Sequence, residues 1–79
     1  MTDRIKFIWD FDGPIGKPTA EHHVKHLKEF VEAKDLQNIL LGVEKVTPSH
    51  HIAYMVVENE MVDNLRAILK PHRGQYYEE

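Results

Sequence analysis

The stretch RIKFIWDFDGPIG, residues 4–16, decides the fold. Large apolar residues occupy every second position from Ile5 to Phe11, which is the period of a β-strand with one buried face. The sequence Asp12–Gly13–Pro14 favours a turn directly afterwards. We therefore predict a first strand over Arg4 to Phe11 that ends in a polar, glycine-containing loop.

The rest of the chain predicts a regular succession of elements. Apolar residues recur at helical spacing after the loop and again in the last third of the chain, with two strand-like runs between them. Turn and cap residues set the expected boundaries. Beyond the first strand we predict a helix capped by Thr19 and ending near Leu36, strands over 38–46 and 51–57 joined by a turn, a helix from Asn59 to Pro71, and a strand within 74–79.

The order strand, helix, strand, strand, helix, strand resembles the ferredoxin-like plan. With 79 residues, the chain is expected to form one domain over 1–79. The fold class predicted is α+β, a four-stranded antiparallel sheet with two helices on one face. In size and element order the chain is also similar to the dimeric α/β-barrel superfamily, which includes small monooxygenases and muconolactone-isomerase-like proteins. That resemblance implies a sheet-to-sheet homodimer but transfers no motif residue.

A sheet covered by helices on one side leaves a second face to account for. If Phe7, Trp9 and Phe11 pack under the helices, a second apolar set faces away from them. The sequence does not decide which residues of the middle two strands point to which face, because a shift of one residue would exchange the two faces. An exposed apolar patch usually marks an interface, so we expect a homodimer through this face. The candidate residues are Ile8, Leu40, Val46, Ile52, Tyr54 and Val56.

Composition excludes several classes of function. The net charge is −3 with histidine neutral, so no basic stripe is available to bind nucleic acid. No apolar run approaches the length that spans a membrane, and MTDRIKF lacks the apolar core of a signal peptide. Cysteine is absent, which excludes disulfides and thiolate metal sites. A cytoplasmic location is the expectation.

Histidine is the unusual residue of this chain, with six occurrences in 79 positions. In the predicted topology the loop after the first strand, the start of the first helix, the hairpin turn and the end of the second helix lie at one end of the domain. The histidines are therefore expected near one another, together with two aspartates and an arginine. The residues concerned are His22, His23, His26, His50, His51, His72, Asp10, Asp12 and Arg73.

Such an end is suited to a transition metal or a small anionic ligand. His22 and His26 are one helical turn apart, and imidazole binds zinc, iron, copper and nickel well. His22, His26, His50 and His51 are the predicted metal ligands, and Asp10, Asp12, His23, His72 and Arg73 the predicted ligand-binding residues. A small enzyme, a binding module and a structural dimer with solvated histidines are all compatible with this pattern.

The sequence WDFDGPI, residues 9–15, resembles the first motif of the haloacid dehalogenase superfamily. That resemblance implies a phosphotransferase in which Asp10 is the nucleophile and Asp12 the general acid and base. It also implies a doubly wound parallel core, a later serine or threonine, a lysine and an acidic pair that helps to bind magnesium. Ser49 and Lys70 do not follow strands of the expected kind, and the chain is shorter than such a core requires.

Overall fold

The structure, a computed structural model, describes residues 3–77. It contains four strands and two α-helices, in the order predicted from the sequence, with one 3₁₀ turn before the second helix. The elements are β1 (Arg4–Asp12), α1 (Gly16–Ala33), β2 (Leu40–Thr47), β3 (His50–Glu58), the 3₁₀ turn (Asn59–Met61), α2 (Val62–Leu69) and β4 (Arg73–Tyr77).

The four strands form one sheet in the order β2-β3-β1-β4, and each neighbouring pair is antiparallel. This is the ferredoxin-like βαββαβ arrangement, so the predicted fold class is confirmed. Strands β1 and β2 run in the same direction with β3 between them, because both pair antiparallel with β3. The dehalogenase resemblance implies a parallel core, whereas all three pairings here are antiparallel.

The main core lies between the sheet and the helices. Phe7 and Trp9 of β1 face α1 and α2 and are almost fully buried. Their rings meet edge to face at 6.4 Å between centroids, and the Trp9 indole donates a 3.4 Å hydrogen bond to the Leu69 carbonyl at the end of α2. The prediction that Phe7, Trp9 and Phe11 lie under the helices is confirmed. The other buried members of this core are Ala20, Leu27, Ala53, Met55, Val57 and Leu65.

The opposite face of the sheet is covered by polar side chains of the chain itself. Ile8, Ile52 and Val56 lie on this face but are at most 3% exposed. Lys6, whose side chain is only 12% exposed, lies 4.6 Å above the Tyr54 ring and donates a 2.7 Å hydrogen bond to Glu44. Such a lysine covers apolar surface with its methylene groups while its ammonium stays paired. The central apolar residues of the outer face are therefore buried within a single chain.

Helix α1 begins earlier than predicted. The expected N-cap, Thr19, lies inside the helix, and its hydroxyl donates a 2.8 Å hydrogen bond to the Ile15 carbonyl. The turn at Gly13, with φ of 92°, and the absence of a side chain at Gly16 allow the helix to begin against the end of β1. Pro18 is tolerated because a first turn needs no intrahelical N–H donor there. The helix also ends at Ala33 rather than near Leu36.

The remaining boundaries differ from the prediction by a few residues. Strand β3 begins at His50, so the turn after β2 contains only Pro48 and Ser49. Helix α2 ends with Lys70 in the left-handed region, just before Pro71. Strand β4 is confirmed over Arg73–Tyr77, and positions 78 and 79 of the predicted strand lie outside the described residues. No helix within residues 3–77 is long and apolar enough to cross a membrane.

Candidate functional site

The sheet divides the predicted site residues between its two faces. The strand register places Asp12 opposite His50, and the Gly13 N–H donates a 2.8 Å hydrogen bond to the Ser49 carbonyl. The β1–α1 loop and the β2–β3 turn therefore lie at the same end of the domain. Their side chains do not share one cavity, because neighbouring strand residues point to opposite faces. Four separate locations result, and His72 lies apart from them at the edge of β1.

The first location is a charged cluster on the outer face. The Asp10 carboxylate lies 2.8 Å from His50 Nε2 and accepts hydrogen bonds of 3.2 and 3.1 Å from Arg73 Nε and an Arg73 terminal nitrogen. Asp12 is 3.9 Å from His50 and largely exposed. The hydrogen bond from Arg73 holds the pKa of Asp10 below its usual 3.8, against the opposing effect of burial. The cluster brings together four of the predicted residues as an ion-pair network.

The second location is the inner side of β1. The His23 ring packs 4.8 Å from the Trp9 ring and 5.7 Å from that of Phe11, between centroids. Burial lowers the pKa of His23, and the nearby His26, His72 and His22 add to this. Its Nε2 is buried and has no hydrogen-bond partner among residues 3–77. His23 is therefore a half-buried aromatic packing residue whose surroundings favour the neutral ring.

His72 has a structural contact at the edge of β1. Its Nδ1 accepts a 2.9 Å hydrogen bond from the Asp10 backbone N–H. Strand β4 pairs with β1 only as far as Ile8 opposite Arg73, so the imidazole continues the ladder beyond that pair. His72 is thus close to the outer cluster without joining its carboxylate.

The third location is the solvent side of α1. His22 and His26 are exposed, and their Nε2 atoms are 3.0 Å apart. His26 Nδ1 lies 3.4 Å from a Glu29 carboxylate oxygen. Across residues 3–77, the structure contains no group of three or more His, Cys, Asp or Glu side chains arranged to hold a metal ion. The predicted ligands His50 and His51 lie elsewhere.

The fourth location is a cavity between the start of α1 and the β2–β3 hairpin. It has a volume of about 420 Å³, which is within the range of small-molecule sites. Its lining combines two cations, one carboxylate, one imidazole and apolar surface. The lining residues are Lys17, Glu21, Val43, Lys45, Pro48 and His51.

His51 is the predicted site residue that belongs to this cavity. It is only 8% exposed, and its Nδ1 is buried without a hydrogen-bond partner among residues 3–77. An unsatisfied buried polar atom costs about 1–3 kcal/mol. Lys17 and Lys45 are exposed at the rim, and neither forms an ion pair within the described part of the chain. The cavity therefore offers two unpaired ammonium groups beside a buried imidazole.

The start of α1 adds to the positive character of the cavity. The N-terminus of a helix carries the partial positive charge of its free N–H groups. The first turn of α1 contains no acidic residue and does contain Lys17, a combination that favours a bound anion. Gly16 allows the start of α1 to lie close to β1 and to His51. A Cβ at this position would lie 2.7 Å from the Phe11 carbonyl oxygen and 3.5 Å from His51 Nδ1.

Sequence reasoning missed the lysines of the cavity and the partner of His26. Lys17 would have been found had the helix start been placed at Gly16, since it then falls in the first turn. Lys45 is two residues from Val43 and shares its face of β2, a relation that period-two counting provides. Glu29 follows His26 at the i,i+3 spacing that lets helical side chains meet.

Comparison with known proteins gives no relative from which a function could be transferred. No family model matches the chain, and no curated protein or solved structure matches it significantly.

Proposed function

We propose that this domain binds a small organic anion, one that carries a carboxylate or phosphate group, in the cavity between α1 and the β2–β3 hairpin. The observation that carries the proposal is His51, whose buried and unpartnered imidazole lies among two unpaired lysines at a helix start. This narrows the sequence-based expectation of a transition metal or small anionic ligand to one location and one class of ligand.

The chemistry of recognition follows from the lining. Lys17 and Lys45 provide point charges and hydrogen-bond donors for an anionic group. The buried ring of His51 provides a directional partner that is shielded from bulk water, where a charge-assisted hydrogen bond is stronger than at the surface. Val43 and Pro48 supply apolar surface for the carbon skeleton of the ligand.

Glu21 limits the choice of anion. Its carboxylate lies in the same lining as the two lysines, and a ligand with negative charge spread over its whole surface would be repelled by it. A ligand with an anionic group at one end and an N–H or O–H donor at the other satisfies both signs of charge. Hydroxy acids, amino acids and their phosphate esters have this composition.

Nuclear magnetic resonance titration of the full chain tests the proposal. The probes are inorganic phosphate, glycolate and glycine. We expect at least one probe to shift the amide signals of Lys17, Lys45 and His51, since these residues line the cavity. Absence of shifts at these three residues with every probe would overturn the proposal.

A matched pair of variants separates specific binding from general charge attraction. Lys45→Gln removes one cation from the cavity, and we expect it to weaken probe binding at least fivefold. Lys34→Gln removes the same charge from an exposed position at the far end of α1, and binding should stay as in the unchanged chain. Equal losses in the two variants would show non-specific attraction only and would contradict the proposal.

A further inference from the structure

We propose that His22 and His26 form a chelating site for a divalent transition metal on the solvent side of α1, with Glu29 as the residue that orients His26. The site is separate from the anion cavity. Lys17 and Glu21 line that cavity, whereas His22, His26 and Glu29 lie farther round the helix, on the side away from the buried Ala20 and Leu27. It also contains only two of the four histidines that the sequence predicts as metal ligands.

The distance between the two nitrogens fits a shared ion. Two imidazole nitrogens bound to one zinc ion at 2.0–2.1 Å lie about 2.9–3.4 Å apart for angles between 90° and tetrahedral. The observed separation of His22 Nε2 and His26 Nε2 is 3.0 Å. In the structure this is a hydrogen-bond distance, so a bound ion would replace the proton shared by the two nitrogens, which the i,i+4 spacing of the helix already brings to one point.

Glu29 completes an arrangement typical of metal-bound histidine. Its carboxylate lies 3.4 Å from His26 Nδ1, on the ring nitrogen opposite the one that faces His22. A carboxylate that accepts a hydrogen bond from Nδ1 keeps the proton there and leaves the Nε2 lone pair free for a metal, and from 3.4 Å Glu29 reaches this position by a small side-chain movement. This is an observation independent of the spacing of the two histidines.

Two imidazoles leave the other coordination positions of the ion open. Within residues 3–77 no third His, Cys, Asp or Glu completes the group, so water or an external ligand occupies these positions. Nitrogen ligands favour copper, nickel and zinc, with Cu²⁺ bound most tightly in the usual order of divalent ions. Binding also requires the Nε2 atom of each histidine to be free of a proton, so the site loses metal in acid.

Calorimetric titration with Zn²⁺ and Ni²⁺, on full-length protein without a histidine tag, tests the site. We expect one ion per chain, and His22→Gln or His26→Gln should each weaken binding at least tenfold. Glu29→Gln should weaken it by about tenfold through loss of orientation, the lower end of the effect of such partners. All three positions are exposed, so the variants are expected to fold, and circular dichroism checks this.

A control keeps the number of histidines constant. The double variant H26Q/K28H moves one imidazole to the other side of the helix while the composition in histidine stays the same. We expect it to bind as weakly as His26→Gln. Wild-type affinity in this variant or in H22Q/H26Q, or no binding to the unchanged chain, would overturn the proposal. None of these outcomes bears on the anion cavity, which is tested with other residues and other probes.

Discussion

His23 is the residue at which packing and protonation conflict most directly. Its ring lies against Trp9 and Phe11, its Nε2 is buried without a partner among the described residues, and burial lowers its pKa. In the unfolded chain the same imidazole titrates near its usual 6.5. As the pH falls below 6.5, the unfolded state takes up the proton first. The free energy of unfolding therefore decreases until the folded state is protonated as well.

Replacement of His23 by Phe should reduce this acid sensitivity. Phe retains an aromatic ring between Trp9 and the helices but has no nitrogen to protonate. We expect the free energy of unfolding to fall less between pH 7 and pH 5 in the variant than in the unchanged chain, because the variant has no ring that the unfolded state protonates first. Urea unfolding followed by the fluorescence of Trp9, the single tryptophan, measures both. Parallel pH profiles of the two proteins would contradict the assignment.

At the scale of elements, sequence periodicity correctly predicted which helices and strands exist and in what order. It predicted their first and last residues less well. Strand β1 was predictable because large apolar residues recur at every second position from Ile5 to Phe11, although Ile8 between them is buried as well. The start of α1 was not, because it depends on the contact between Gly16 and the Phe11 carbonyl, which no local pattern reveals. Because the helix start was predicted too late, Lys17 was not recognised as a residue of the first helical turn. Asp10, His50 and Arg73 were correctly predicted to lie close together. The order of elements could not show, however, which of the predicted side chains lie on opposite faces of the sheet.

Gly16→Ala tests this contact. A methyl group at position 16 would meet the Phe11 carbonyl oxygen at 2.7 Å, so helix or strand must shift. We expect a loss of about 1–2 kcal/mol, the cost of overpacking less the gain in helix propensity. The control is Gly74→Ala, where the nearest atom to the new methyl would be at 3.6 Å. Chemical denaturation gives both values, and equal midpoints for the two variants would contradict the argument.

At the scale of the whole molecule, the outer face of the sheet is the surface through which the sequence predicts that two copies meet. Its central apolar residues are already covered by Lys6, Tyr54 and Glu44. Leu40 and Val46 remain 43% and 51% exposed. A partner would thus contact a charged layer with an apolar margin along β2. The homodimer expected from the sequence stays a prediction.

Sedimentation equilibrium decides that prediction. For a dimer through the outer face, the mass should rise above the 9.3 kDa of one chain as concentration increases, and Leu40→Asp should prevent the rise. Ile68→Asp places the same charge at a similarly exposed apolar residue on α2 and should have no effect. A single-chain mass at every concentration, or equal effects of the two variants, would contradict a sheet-to-sheet dimer.

The contact of His72 with the Asp10 backbone has a consequence for colloidal behaviour. Because β4 begins opposite Ile8, the last part of β1 is an uncovered border of the sheet, and uncovered borders recruit strands from other molecules into aggregates. The imidazole of His72 already accepts the hydrogen bond of the Asp10 N–H, the first backbone group with which an incoming strand would pair. One ring thus covers the side of β1 that β4 does not reach beyond Ile8, at the point where a strand from another molecule would otherwise pair.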